Sequence, residues 1–250
     1  MSKQNRPTHT PTSAPDQAEN WRGFYGKYHS APGRYPTEWV VRTLAGGNYP
    51  RLKMDKSHYL GARILDMGCG DGRNIPLLLD LGFEVYACEI CEELITPLKL
   101  TAERLGWAVN FQTGVNHSLD YPDAFFDYML CCASCYYLDG QVSWSAVRAE
   151  LARVLKPGGL MVANFCDEDN FILNDSVRQE DGSFLIKNDP FGLRNGSRFM
   201  AVRDTSQLSE LLSPQFSLSG IGHLCDDYYG IKVSGHIIVA QQQEAFRNSI

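Results

Sequence analysis

The chain has 250 residues, 44% hydrophobic and 21% charged, enough for one large domain or two small ones with a real core. Its 23 Lys and Arg against 29 Asp and Glu leave a net charge of -6, which argues against a nucleic-acid backbone as partner and leaves small or cationic ligands open. Apolar runs such as LMVANF and MLCCA are too short to cross a membrane, and residues 1–20 hold no apolar stretch of the secretory-leader kind. A cytoplasmic protein with no membrane partner is expected, its eight cysteines kept as thiols.

Residues 1–20 are rich in Pro, Thr, Ser and Asn and are expected to be a disordered tail. Residues 21–61 form an aromatic segment with Trp21, Phe24, Tyr25, Tyr28, Tyr35 and Trp39. Within it, Pro36 precedes a short helix from about Thr37 to Leu44, which Gly46, Gly47 and Pro50 end. From residue 62 strands and helices alternate. Arg63–Met67, Glu84–Ile90, Val109–Thr113, Asp127–Cys132 and Leu160–Phe165 read as strands. Ile75–Leu81, Glu92–Leu105 and Val142–Leu155 read as the helices between them, with Pro97 able to kink the second. Pro157-Gly158-Gly159 is a hard turn before the fifth strand. Residues 166–203 are an insertion of mixed polarity. A helix over Thr205–Leu212 follows, then strands over Phe216–His223 and Lys232–Gln241 joined near Asp226–Gly230. The expected fold is α/β: a mostly parallel sheet with helices on both faces and an antiparallel C-terminal hairpin. Residues 62–250 form the main domain.

The segment Ile64-Leu65-Asp66-Met67-Gly68-Cys69-Gly70-Asp71-Gly72-Arg73-Asn74 carries the chemistry. A strand runs into a glycine-rich turn and then a helix, and in a parallel sheet that turn lies where ligands bind. A dinucleotide site wants G-x-G-x-x-G, but here the third position is Arg73 and the spacing is G-x-G-x-G. Asp66 just before the turn suits a cationic ligand better than a pyrophosphate. A nucleotide-cofactor oxidoreductase, the alternative from another enzyme class, is therefore disfavoured.

Asp66–Gly72 resembles the D-x-G-C-G-x-G motif of class I S-adenosylmethionine-dependent methyltransferases at every fixed position. The resemblance extends over residues 62–165. It includes Glu89 at the end of the second strand, Gly114…Leu119…Phe126-Asp127, and the Leu155-Lys156-Pro157-Gly158-Gly159 turn. It implies a Rossmann-like domain that binds S-adenosyl-L-methionine and moves its methyl to a small-molecule O, N or C nucleophile. A non-catalytic binding protein is the alternative within the same fold. The implied cofactor set is Asp66, Gly68, Cys69, Gly70, Glu89, Ile90, Asn116, His117 and Cys131, with Glu89 on the ribose hydroxyls and Asp66 near the methionine amino group. The chain departs from the family at Val115, where many members carry an acid for the adenine; Asn116 or the backbone then takes that role.

His117, His223 and His236 are candidate bases, with His117 and His223 carried forward as catalytic candidates. Tyr25, Tyr136 and Tyr137 are candidate acceptor contacts. The aromatic segment serves either as a lid over the cofactor or as a packing clamp. The pairs Cys88/Cys91 and Cys132/Cys135 have zinc-like spacing, but Cys88 and Cys91 flank Glu89, so no metal is expected. A monomer or homodimer is expected.

Overall fold

The computed structural model describes residues 17–28, 35–47 and 49–243. Most of the expected tail, residues 1–16, and residues 29–34 of the aromatic segment lie outside the described residues. In chain order the elements are α1 (Gln17–Tyr28), α2 (Glu38–Leu44), β1 (Arg63–Met67), α3 (Ile75–Asp80), β2 (Glu84–Glu89), α4 (Glu92–Leu105), β3 (Val109–Thr113), β4 (Phe126–Cys131) and β5 (Tyr137–Leu138). Then come α5 (Trp144–Val154), β6 (Leu155–Cys166), β7 (Ser176–Arg178), β8 (Phe184–Ile186), β9 (Arg198–Phe199), α6 (Thr205–Leu212), β10 (Phe216–Tyr228) and β11 (Ile231–Gln242).

Seven strands form the main sheet in the order β3-β2-β1-β4-β6-β11-β10. The pairs β2–β3, β1–β2, β1–β4 and β4–β6 are parallel; β11 runs antiparallel to both β6 and β10. This is the mostly parallel sheet with an antiparallel hairpin expected from the alternation, in the Rossmann-like arrangement that the resemblance implies. Its central strands are buried on both faces, so they read as continuous apolar runs. Side chains still alternate between two cores. Ile64, Leu130 and Val162 pack with Trp39, Val40 and Leu44 of α2 and Leu78 of α3. Leu65, Met129, Met161 and Phe165 pack with Val147 and Leu151 of α5 and Leu208 and Leu212 of α6. Helix α4 ends on Gly106, whose left-handed conformation (φ 69°) caps its last turn.

Three sequence expectations shift. Residues 17–20, assigned to the tail, open helix α1, which places Trp21, Phe24 and Tyr25 on one face at i, i+3 and i+4. The Leu155–Gly159 turn is a bulge within β6: Phe126 pairs with Leu155, and the next pair is Tyr128 with Leu160. Lys156 Nζ pins it to Asp127 Oδ1 at 2.6 Å. The insertion 166–203 is not one long loop. Its strands β7, β8 and β9 join β5 in a second sheet of order β5-β9-β8-β7. Phe184, Ile186 and Phe199 anchor that sheet to the main core.

Candidate functional site

A cavity of about 680 Å³ opens at the carboxyl ends of β1, β2, β4 and β6. Helix α1 and the Tyr136-Tyr137 segment also line it, as does the insertion through Asn170, Phe171 and Arg194. Its floor is the glycine turn. Gly68 and Gly70 sit at φ +67° and +58°, a region that L side chains rarely adopt. A Cβ on Gly70 would lie 2.3 Å from Tyr25 Oη, and one on Gly68 would lie 2.7 Å from Ser134 Cβ. The main chain is bare here because other groups approach it closely. Gly68 and Cys69 both donate their N–H to Cys88 O, at 3.0 and 3.1 Å, which fastens the turn to β2.

Three carboxylates surround the turn. Glu89 is 7% exposed; its Oε1 accepts from Gly70 N at 2.7 Å and its Oε2 from Ile90 N at 3.0 Å. Burial raises its pKa, against the pull of those two hydrogen bonds. Asp71 is compensated, because Arg73 reaches it with Nε at 2.8 Å and Nη2 at 2.6 Å. Asp66 is not. It is 1% exposed, and neither of its oxygens has a hydrogen-bond partner among the described residues. Burial, then the charges of Glu89 and Asp71, push its pKa up to about 7. Two buried carboxylates without a cationic partner among the described residues, Glu89 on the wall and Asp66 beneath the turn, make this end of the cavity a place for a cation.

Gly68, Cys69, Gly70, Glu89, Ile90 and Asn116 all line the cavity. Asp66 lies beneath the turn rather than on the cavity wall. Cys131 points away from the cavity into the large core, fully buried, because side chains alternate along β4. Its neighbour Cys132 takes the wall instead, with Sγ 3.4 Å from Thr37 Oγ1. The Asn116 amide is committed to the protein, since Nδ2 donates to Cys135 O at 3.1 Å and Tyr137 O at 2.7 Å. His117 sits outside the lining and meets only Asn116 Oδ1, at 3.3 Å, among its side-chain hydrogen bonds.

The aromatic groups form a layered wall. Trp21 stacks on Tyr25 (centroids 5.6 Å apart, 26° between planes), and Tyr25 lies over Gly70. Trp21 also meets Tyr137 edge-on at 6.0 Å, and Tyr137 stacks on Tyr136 at 5.4 Å. Burial raises Tyr137 to about 12 although Arg194 opposes it. Burial also lifts Tyr25 and Tyr136 far above the ordinary phenol range.

His223 lies behind the opposite wall. Its Nε2 is 2.8 Å from Asp167 Oδ2, which also accepts from Ser234 Oγ. Burial pushes Asp167 up, but the bonds from Ser234, His223 and Asp169 N outweigh it and hold the carboxyl below its usual range. Ser234 lines the cavity; His223 and Asp167 do not. His236 stacks edge-on against His223 at 5.0 Å, and its pKa is lowered by burial and then by His223. Sequence reasoning did not find α1 as a helix, nor Ser234, Asn170 or Arg194. Nothing in their local spacing marks them; distant elements bring them together.

A seven-stranded Rossmann-like sheet, a G-x-G-x-G turn and acids at the ends of β1 and β2 define a domain built for a nucleoside-bearing ligand with a cationic part. A family model described as a methyltransferase domain matches residues 65–163. That match runs from β1 to β6, through the glycine turn, and covers under half of the chain. The chain is 31% identical over 149 residues to a ubiquinone biosynthesis O-methyltransferase of Cereibacter sphaeroides, covering 59% of each chain. The chain thus spans under two thirds of the length of the curated relatives it first matches. A solved protein of Pyrococcus horikoshii OT3 has the same fold (TM-score 0.60, 22% identity, 87% of this chain and 99% of that one). So does a Burkholderia thailandensis 1,6-didemethyltoxoflavin-N1-methyltransferase, solved with 1,6-didemethyltoxoflavin and S-adenosylhomocysteine bound (TM-score 0.59, 18% identity, 95% and 94% covered).

Proposed function

We propose that the chain is an enzyme that binds S-adenosylmethionine at the glycine turn and methylates a small molecule enclosed beneath α1 and the insertion. The observation that carries this is a pair of buried acids without a cationic partner among the described residues, Glu89 on the wall of a 680 Å³ cavity and Asp66 beneath its glycine turn. They fit a ligand with cationic groups and ribose hydroxyls. When bound, S-adenosylmethionine supplies a methyl group on a positively charged sulfur, which is already a good leaving group.

The protein's part is then positioning and exclusion of water. Glu89 holds the turn through Gly70 N and Ile90 N, and each of its oxygens keeps a further lone pair for a ribose hydroxyl. Gly114, Val115 and Asn116 border the adenine region, with Asn116 acting through the backbone it braces. Tyr25, Tyr136 and Tyr137 wall the acceptor space. Ser234, backed by Asp167 and His223, is the hydroxyl placed to take a hydrogen bond from an acceptor that must lose a proton. The size of the cavity and the net acidity favour a small acceptor over a nucleic acid. Among the described residues no helix is long and apolar enough to cross a membrane. Eight unpaired thiols suit a cytoplasmic setting.

The test is incubation of the full chain with methyl-labelled S-adenosylmethionine and a small-molecule cell extract, read by mass spectrometry. A metabolite that gains the label is expected. Retained cofactor binding with no labelled product across several extracts would instead mark a non-catalytic binding protein.

A further inference from the structure

Arg194 is a cation that the reading above leaves without a role. It lies in the insertion, and its side chain is 17% exposed, whereas the cavity's other arginines, Arg42 and Arg73, are 64% and 50% exposed. A short loop built around Asp189 holds it. The Asp189 carboxylate, itself fully buried, accepts from the backbone N–H of Phe191, Leu193 and Arg194, each at 3.1 Å. It also takes Arg194 Nη1 at 2.9 Å. Three backbone dipoles therefore share the neutralisation of Asp189, and the guanidinium is not consumed by it.

The rest of the side chain is fixed as well. Nε points to Tyr137 Oη at 3.3 Å, and the guanidinium carbon lies 5.7 Å from the Trp21 ring centre. Nη2 has no hydrogen bond among the described residues. Tyr25 and Trp21 separate this cation from the glycine turn, so the cavity is polarised. Uncompensated acids stand at the turn, and a rigid guanidinium with a free nitrogen stands across the aromatic stack, beside Tyr137.

We infer that Arg194 forms an anion subsite, and that the acceptor is a planar, aromatic-sized molecule bearing a carboxylate. A guanidinium that is preorganised, poorly hydrated and flanked by aromatic faces recognises a flat acid through charge, hydrogen bonds and ring contact together. This inference rests on the methyltransferase reading for the word acceptor, but the subsite itself does not.

The experiment is calorimetric titration of the full chain with benzoate, phenylacetate and 4-hydroxybenzoate, each against its methyl ester. It is run on wild type, Arg194→Gln and Arg194→Lys, with S-adenosylhomocysteine titrated separately into all three. At least one acid is expected to bind wild type with a Kd of about a millimolar or tighter, and its ester about ten- to a hundredfold more weakly. Arg194→Gln erases that preference, and Arg194→Lys keeps part of it. If Arg194→Gln melts too readily to titrate, Arg194→Lys decides, since it must weaken the acid and leave the ester unchanged. Equal binding of acid and ester, no binding of any acid by wild type, or a preference that survives Arg194→Gln overturns the inference. Failure to bind S-adenosylhomocysteine with the acid preference intact overturns the methyltransferase reading and leaves the subsite standing.

Discussion

Asp66 offers a way to watch ligand binding through protons. Its carboxylate is buried beneath the glycine turn without a hydrogen-bond partner among the described residues, and its pKa is raised from 3.8 to about 7. Such a group is about 90% protonated at pH 6 and about 10% at pH 8. A ligand that brings an ammonium group to the turn favours the ionised form. Binding of S-adenosylhomocysteine, which carries that ammonium, should therefore release close to one proton at pH 6 and almost none at pH 8. The assay is calorimetric titration in pairs of buffers with different ionisation enthalpies, where the slope of heat against buffer enthalpy counts the protons. Asp66→Asn should flatten the slope at pH 6. The same shift sets stability. The folded state holds this proton more tightly than the unfolded chain, so stability falls as pH rises from about 4 to about 7, by roughly 4 kcal/mol. Asp66→Asn should lose that dependence. Equal proton release at pH 6 and pH 8, or release that persists in Asp66→Asn, would refute the reasoning.

Glu89→Gln removes a charged partner from the proposed ribose site and should weaken S-adenosylhomocysteine by about ten- to a hundredfold, measured by the same titration; an unchanged affinity counts against that role. Gly70→Ala forces a side chain into left-handed backbone and onto Tyr25 Oη, so it should cost at least about 1–2 kcal/mol in chemical denaturation. A denaturation midpoint equal to wild type would mean that Tyr25 does not cover the turn. Arg153 bridges Glu150, Asp123 and the carbonyls of Leu119 and Tyr121, and none of these residues lines the cavity. Arg153→Met should lower stability by about 2 kcal/mol and leave cofactor affinity alone; a loss of affinity without loss of stability would tie this network to the site.

The parts of the fold that sequence reading reached are those whose periodicity is strong over their own length. Arg63–Met67, Glu92–Leu105, Val109–Thr113 and Thr205–Leu212 have the bounds read from the pattern. The glycine turn was legible because it packs its signals into seven residues. Helix α1 was not. Gly23 and Gly26 weaken its propensity, and its aromatic face finds partners in distant elements, among them Tyr137, Arg194 and the glycine turn. At β4 a one-residue difference in the strand's ends decides which cysteine meets the cavity, and only the three-dimensional register resolves Cys131 from Cys132. Strands β7 to β9 have two or three residues each, too few for a period to show, and the Asp189–Arg194 loop depends on backbone N–H groups that no residue pattern announces.

The central claim is that the turn at Gly68–Gly72 and the acids around it hold S-adenosylmethionine. Calorimetric titration of the full chain with S-adenosylhomocysteine, and separately with NAD, tests it most directly. The account predicts saturable binding of S-adenosylhomocysteine at one site per chain and no comparable binding of NAD. No heat with S-adenosylhomocysteine, or a preference for NAD, would contradict it.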